Sequence, residues 1–107
     1  MSDPSEPTVI LAVEGDIDLY QVPVVKENLD EQLRRKPARI LVDFSRVNYI
    51  DSSGLALFIE CLQSISAYGG KLGLFGLQPT IRHIFEVACL DQVLQTYPDE
   101  AAARAAL

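Results

Sequence analysis

The sequence predicts an α/β fold: a mainly parallel sheet of about four strands with about four helices packed on it. Three observations carry this reading. Short apolar runs at residues 8–13, 40–44, 71–75 and 93–97 have the length and content of strands. Between them lie segments whose apolar residues recur at helical spacing, and proline or glycine punctuates the changes from one kind to the other. Strands alternating with helices through 107 residues imply right-handed crossovers, which bring the C-terminal ends of the strands and their functional loops to one edge.

Each element follows from its residues. Residues 1–7, polar and acidic with Pro4 and Pro7, read as a disordered lead, and residues 8–107 as a single domain. The almost unbroken apolar run 8–13 suits a strand buried on both faces, and Gly15, Asp16 and Asp18 mark a loop after it. Pro23 fits a first helical turn. Val22, Val25, Leu29 and Leu33 then keep helical spacing until Arg34, Arg35 and Lys36, which suit a C-terminal helix end, and Pro37 stops the helix. Residues 40–44 repeat the buried-strand pattern. Leu55, Phe58, Ile59, Leu62 and Ile65 trace one face of a second helix that ends at Gly69 and Gly70. Residues 71–75 form a third strand, weakened at its centre by Gly73, and a third helix after Pro79 carries Ile81, Ile84, Phe85 and Ala88. A short last strand at 93–97 leads to Pro98 and Asp99, where a helix start is expected. The alanine-rich end, with high helix propensity and little apolar bulk, is expected to fray or dock lightly.

Composition narrows the function. Nine Lys and Arg against fifteen Asp and Glu give a net charge of -6, which repels phosphate backbones and anionic lipid, so nucleic acid is a poor partner. No stretch approaches the roughly 20 apolar residues of a membrane span. Cys61 and Cys89 lack metal-ligand spacing to one another or to a histidine, so two buried free thiols and no zinc site are expected, in keeping with the cytoplasm.

The distinctive segment follows the second strand: Asp51, Ser52, Ser53, Gly54, Leu55. Asp and Ser at a helix start are natural caps, because their oxygens accept bonds from free amides of the first turn. No Glu or Gln stands three residues after Asp51, Ser52 or Ser53, so a capping box is absent. A helix N-terminus also tolerates added anionic charge, so a phosphorylated hydroxyl is the functional alternative, and one serine can cap while the other stays exposed. Asp16 and Asp18 fall on the same strand edge if the sheet is parallel; as ordinary loop carboxylates they would mean little, but beside a phosphoserine they would make an acidic surface. Ser52 or Ser53 with His83 and an aspartate is formally a hydrolase trio. It lacks the G-x-S-x-G elbow, and His83 sits beside the core residues Ile84 and Phe85, so no enzyme is expected. Gly70 and Lys71 are no phosphate loop, since Ile65 replaces its first glycine and no Ser or Thr follows Lys71.

The segment Asp51 to Leu55 resembles the signature of STAS domains, specifically those of bacterial anti-sigma factor antagonists. Gly15, Asp16, Ile17 and Asp18 are similar to a loop of that family, as are Asp43, Phe44, Ser45, Val47 and Ile50 before the turn. Gly69 to Leu72 and Pro79, Ile81, Phe85 and Leu90 match its third strand and helix, so the resemblance covers residues 8–97. It implies a STAS-like fold and a binding protein without a cofactor of its own. The partner it implies is an anti-sigma factor with a histidine-kinase-like ATPase fold, to which ATP and magnesium would belong. That kinase would phosphorylate the first serine of the turn, here Ser52, and a PP2C-type phosphatase would reverse it. Asp16, Asp18, Asp51, Ser52, Ser53, Gly54 and Leu55 are the implied partner-binding residues. The alternative is a STAS subunit of a larger assembly, a stressosome-like complex or a lipid-transport ABC system; the intact Ser52 favours the switch. In one respect the chain departs from the family. Only seven residues precede the first strand, so the family's N-terminal edge strand is expected to be short or missing, and the open edge predicts a monomer or a weak homodimer.

Overall fold

The computed structural model describes residues 7–107, and the expected disordered lead falls, apart from Pro7, outside them. Its elements run β1 (Thr8–Ile17), α1 (Val22–Arg34), β2 (Arg39–Ile50), α2 (Ser52–Ser66), β3 (Lys71–Phe75), α3 (Pro79–Val87), a 3₁₀ turn (Leu90–Gln92), β4 (Thr96–Tyr97) and α4 (Glu100–Ala106). The four strands form one sheet in the order β1-β2-β3-β4, and each neighbouring pair is parallel.

Because β2 and β3 have helices on both faces, successive residues enter different cores. Ile40, Val42 and Phe44 of β2 and Leu72 and Leu74 of β3 pack with Leu29 of α1, Leu57, Phe58, Cys61 and Ile65 of α2, and Ile81 and Phe85 of α3. Leu41 and Phe75 face the other way, onto Ala103 of α4, Tyr97 and Leu107. Three helices thus cover one face of the sheet, and α4 covers part of the other. Phe44 is the hinge of the larger core: its ring lies 5.1 Å from that of Phe58 and 6.1 Å, edge-on, from that of Phe85.

Several elements differ from expectation for identifiable reasons. The first strand does not end at Val13 but runs through Gly15 and Asp16, which pair with Val47 and Tyr49; the predicted loop begins only at Asp18. Two register shifts, with Gly15 at φ +77°, let β1 follow the longer β2, and the outer half of β2 buries only Val47 and Ile50 where regular alternation would bury every second residue. Nor is β1 buried on both faces. Its Val9, Leu11 and Val13 join the three-helix core, whereas Ile10 and Ala12 are exposed because α4 does not extend over β1, an edge strand of the sheet. The last strand shrinks to Thr96 and Tyr97, since the amides of Val93 and Leu94 turn back to the Leu90 carbonyl.

The C-terminal helix is more than lightly docked. Asp99 caps it, accepting from the Ala102 amide at 2.8 Å, and Ala103 is fully buried. Gly73, expected only to weaken β3, has a specific use. A methyl group there would lie 2.7 Å from Leu107 Cδ1, so the missing side chain is the seat in which Leu107 rests.

The cysteines are unlike one another. Cys61 is buried in α2, and desolvation, reinforced by the charge of Asp30, pushes its thiol up to about 11; Cys89, expected to be buried, is exposed beyond the end of α3 at φ +59°. A thiol reagent at pH 8 is therefore expected to label Cys89 and spare Cys61 until denaturant is added, as intact-mass measurement will show. Phe44→Ala, which empties the hinge of the core, is expected to cost about 3–5 kcal/mol in chemical denaturation.

Candidate interaction surface

Parallel pairing sets the ends of β1 and β2 side by side, so the chain segments that leave them are neighbours. The Asp51 amide donates to the Ile17 carbonyl at 3.2 Å, closing the last rung between them. Asp51 is extended, at φ −102° and ψ −175°, and caps α2: its Oδ1 accepts from the Ser53 amide at 2.9 Å, the Gly54 amide at 3.1 Å and the Ser53 hydroxyl at 2.5 Å. Its Oδ2 reaches across to accept from the Leu19 amide at 3.1 Å, in the turn between β1 and α1. One carboxylate therefore fixes both loops.

The second loop has its own anchor. Asp18 Oδ1 accepts from the amides of Tyr20 and Gln21, both at 3.0 Å, and its carbonyl takes the Val22 amide at 2.9 Å, so the chain turns tightly into α1. Asp16 is exposed and, with Glu14, Asp18, Gln21, Arg46 and Asn48, lines an open groove of about 670 Å³. Arg46 and Glu14 stand 3.8 Å apart on its rim, both largely exposed, an ion pair that contributes little to stability.

The two serines have separate fates. Ser53 is half-buried and its hydroxyl is committed to Asp51, whereas Ser52, the first residue of α2, is exposed and its hydroxyl has no partner among the described residues. Gly54 is buried: a methyl group on it would lie 2.7 Å from both the Ile17 carbonyl oxygen and Ile50 Cγ1, so it supports the surface from below. Leu55 packs at the margin of the main core. His83 is exposed on α3 and bonds to neither serine. Among the described residues no cluster of His, Cys, Asp and Glu could hold a metal, and no helix is long and apolar enough to cross a membrane.

Sequence reasoning missed the most exposed apolar residues of this region, Leu19, Tyr20 and Val24, together with the half-exposed Tyr49. A Leu-Tyr pair inside a segment otherwise marked as a loop was the available signal.

A STAS domain family model matches residues 3–103. This chain belongs to the STAS domain family. As a STAS domain it is similar to the anti-sigma-B factor antagonist of Listeria monocytogenes, with 32% identity over 83 residues, covering 78% of this chain and 73% of the relative. Its fold is shared by a putative anti-sigma factor antagonist from Thermotoga maritima, with TM-score 0.86, 23% identity and coverage of 92% and 85% of the two chains. It is shared too by the Bacillus cell fate determinant SpoIIAA, solved in a phosphorylated form, with TM-score 0.70, 21% identity and coverage of 99% and 96%.

Within this STAS domain, the Asp51 carboxyl is held below its ordinary value of 3.8, chiefly by the Ser53 hydroxyl and then by the Gly54 amide; slight desolvation opposes them, and the Leu19 and Ser53 amides add to the lowering. The unfolded chain then binds the proton more tightly than the folded one. The carboxylate's contribution to stability is thus complete above the unfolded value and disappears as the pH falls through the lower folded one. Denaturation curves between pH 6 and pH 2 are expected to show this acid loss in the wild type and a smaller one in Asp51→Asn, which is also the less stable protein at pH 6.

Proposed function

We propose that this chain is an anti-sigma factor antagonist, and that its switch is phosphorylation of Ser52. The observation that carries the reading is the exposed Ser52 hydroxyl, unengaged on the first turn of α2 while the neighbouring Asp51 and Ser53 are committed to holding that turn. A kinase can reach this hydroxyl without unfolding the cap. A phosphate added there brings about -1.5 to -2 charges and added bulk to an edge that already contains Asp16, Asp18 and Asp51, and a partner fitted closely to the neutral serine is displaced, because the charge would have to be desolvated in the contact. The name of the Listeria relative supports the role.

The partner in this reading is an anti-sigma factor with a histidine-kinase-like ATPase fold, acting in the cytoplasm. It supplies ATP and magnesium, and a PP2C-type phosphatase restores the free serine. The antagonist itself contributes no catalysis: its residues bind, and one of them is modified. Ser53, with its hydroxyl turned back to Asp51, supports the cap, and Asp16, Asp18, Asp51 and Leu55 border the contact surface that Gly54 supports.

Incubation with the anti-sigma kinases of the source organism, ATP and magnesium, followed by phosphosite mapping, is expected to place one phosphate on Ser52. Modification confined to other residues, or none with any of these kinases, sinks the reading. In titrations Ser52→Ala is expected to keep partner affinity and Ser52→Asp to lose on the order of tenfold, because charge and not the hydroxyl disrupts the contact. Equal affinities for the two variants would remove the electrostatic mechanism.

A further inference from the structure

Beside Ser52 lies the most exposed cluster of large apolar side chains on the domain. Leu19 is 66% exposed, Tyr20 84% and Val24 56%. Tyr20 lies in the turn just before the N-cap Gln21 and Val24 in the first turn of α1, where it is turned away from the side of that helix that buries Leu29. Burying three such side chains would stabilise the fold, yet this loop holds them out.

The loop that presents them is tied down. The Leu19 amide is bonded to Asp51 and the Tyr20 and Gln21 amides to Asp18, so three consecutive backbone donors are engaged and the segment has little freedom left to lose on binding. The bond from Leu19 to Asp51 also makes the cluster continuous with the first turn of α2, where Ser52 is exposed. Its surroundings are acidic. Of the four charged residues along the adjoining groove, Glu14, Asp16 and Asp18 are negative, and Arg46 is already paired with Glu14.

We propose that Leu19, Tyr20 and Val24 are the apolar anchor of the partner-binding surface, and that the anti-sigma factor receives them in an apolar pocket rimmed by lysine or arginine. The inference rests on the function proposed above and adds to it the part of the surface that supplies affinity. Tyrosine at the centre of a desolvated contact commonly dominates binding, and opposite charge at the rim speeds and orients the encounter. It also gives Ser52 a more demanding role. A phosphate there lies beside apolar contacts that exclude water, where a doubly charged group is costly to bury.

The test titrates the purified anti-sigma kinase of the source organism into the wild-type chain, Tyr20→Ala, Val24→Ala and, as a control on another exposed apolar residue, Val87→Ala. All four are expected to fold alike, since exposed side chains contribute little to stability. Tyr20→Ala is expected to weaken binding on the order of tenfold or more, Val24→Ala by less, and Val87→Ala not at all. Added salt is expected to weaken the wild-type complex. In Ser52 phosphorylation the loss in Tyr20→Ala falls on KM, not kcat. Wild-type affinity in Tyr20→Ala overturns the anchor and leaves the proposed function standing. Failure of the wild-type chain to bind any of these kinases overturns that function and the anchor with it.

Discussion

The edge of this domain depends on how one carboxylate divides its two oxygens. Asp51 gives Oδ1 to the first turn of α2 and Oδ2 to the Leu19 amide, a residue 32 positions earlier. An ionised acceptor makes stronger bonds than a neutral one, and at a helix N-terminus it also meets the positive end of the dipole. The arrangement is possible because β1 and β2 are parallel neighbours, so the chain leaves both strands at the same height. Remove the carboxylate and two loops lose a common reference, which is how it couples the placement of Ser52 to that of the loop carrying Tyr20.

The sheet beneath is asymmetric in a way that suits this division of labour. Three helices and the Phe44, Phe58 and Phe85 rings make one face the main source of stability, and the opposite face is closed by little more than Ala103, Leu107 and Tyr97 over β2 to β4. The edge carrying Asp51 and Ser52 lies at the C-terminal ends of β1 and β2. Its residues can therefore be polar, exposed and modifiable without drawing on the core.

Much of this was legible in the residues. Strand and helix alternation appeared as apolar runs and helical spacing, and the pairing of cap and exposed hydroxyl was implicit in two serines after an aspartate, although nothing in the sequence says which serine turns inward. What decided it was geometry: Ser53 stands two residues after the cap, where its amide and hydroxyl both reach Asp51. Other features were hidden because they depend on neighbours. The reach of β1 to Ile17 needs the register shifts against β2, and the exposure of Ile10 and Cys89 reflects where the helices stop. Leu19 and Tyr20 were passed over for the opposite reason. Apolar residues are ordinarily assigned to an interior, and only the bonds that pin their backbone show that these two are held outside.

Gly54 ties the dimensions of the interior to the reach of Ser52, the residue proposed as the switch. With the Ile17 carbonyl oxygen and Ile50 Cγ1 each 2.7 Å from where a side chain would begin, α2 sits closer to the strand ends than any residue with a Cβ would allow. Ser52 stands on the same helical turn, so its height above the edge depends on this close approach together with the Asp51 cap. A side chain that thickened the contact would push the first turn of α2, and Ser52 with it, away from the strand ends.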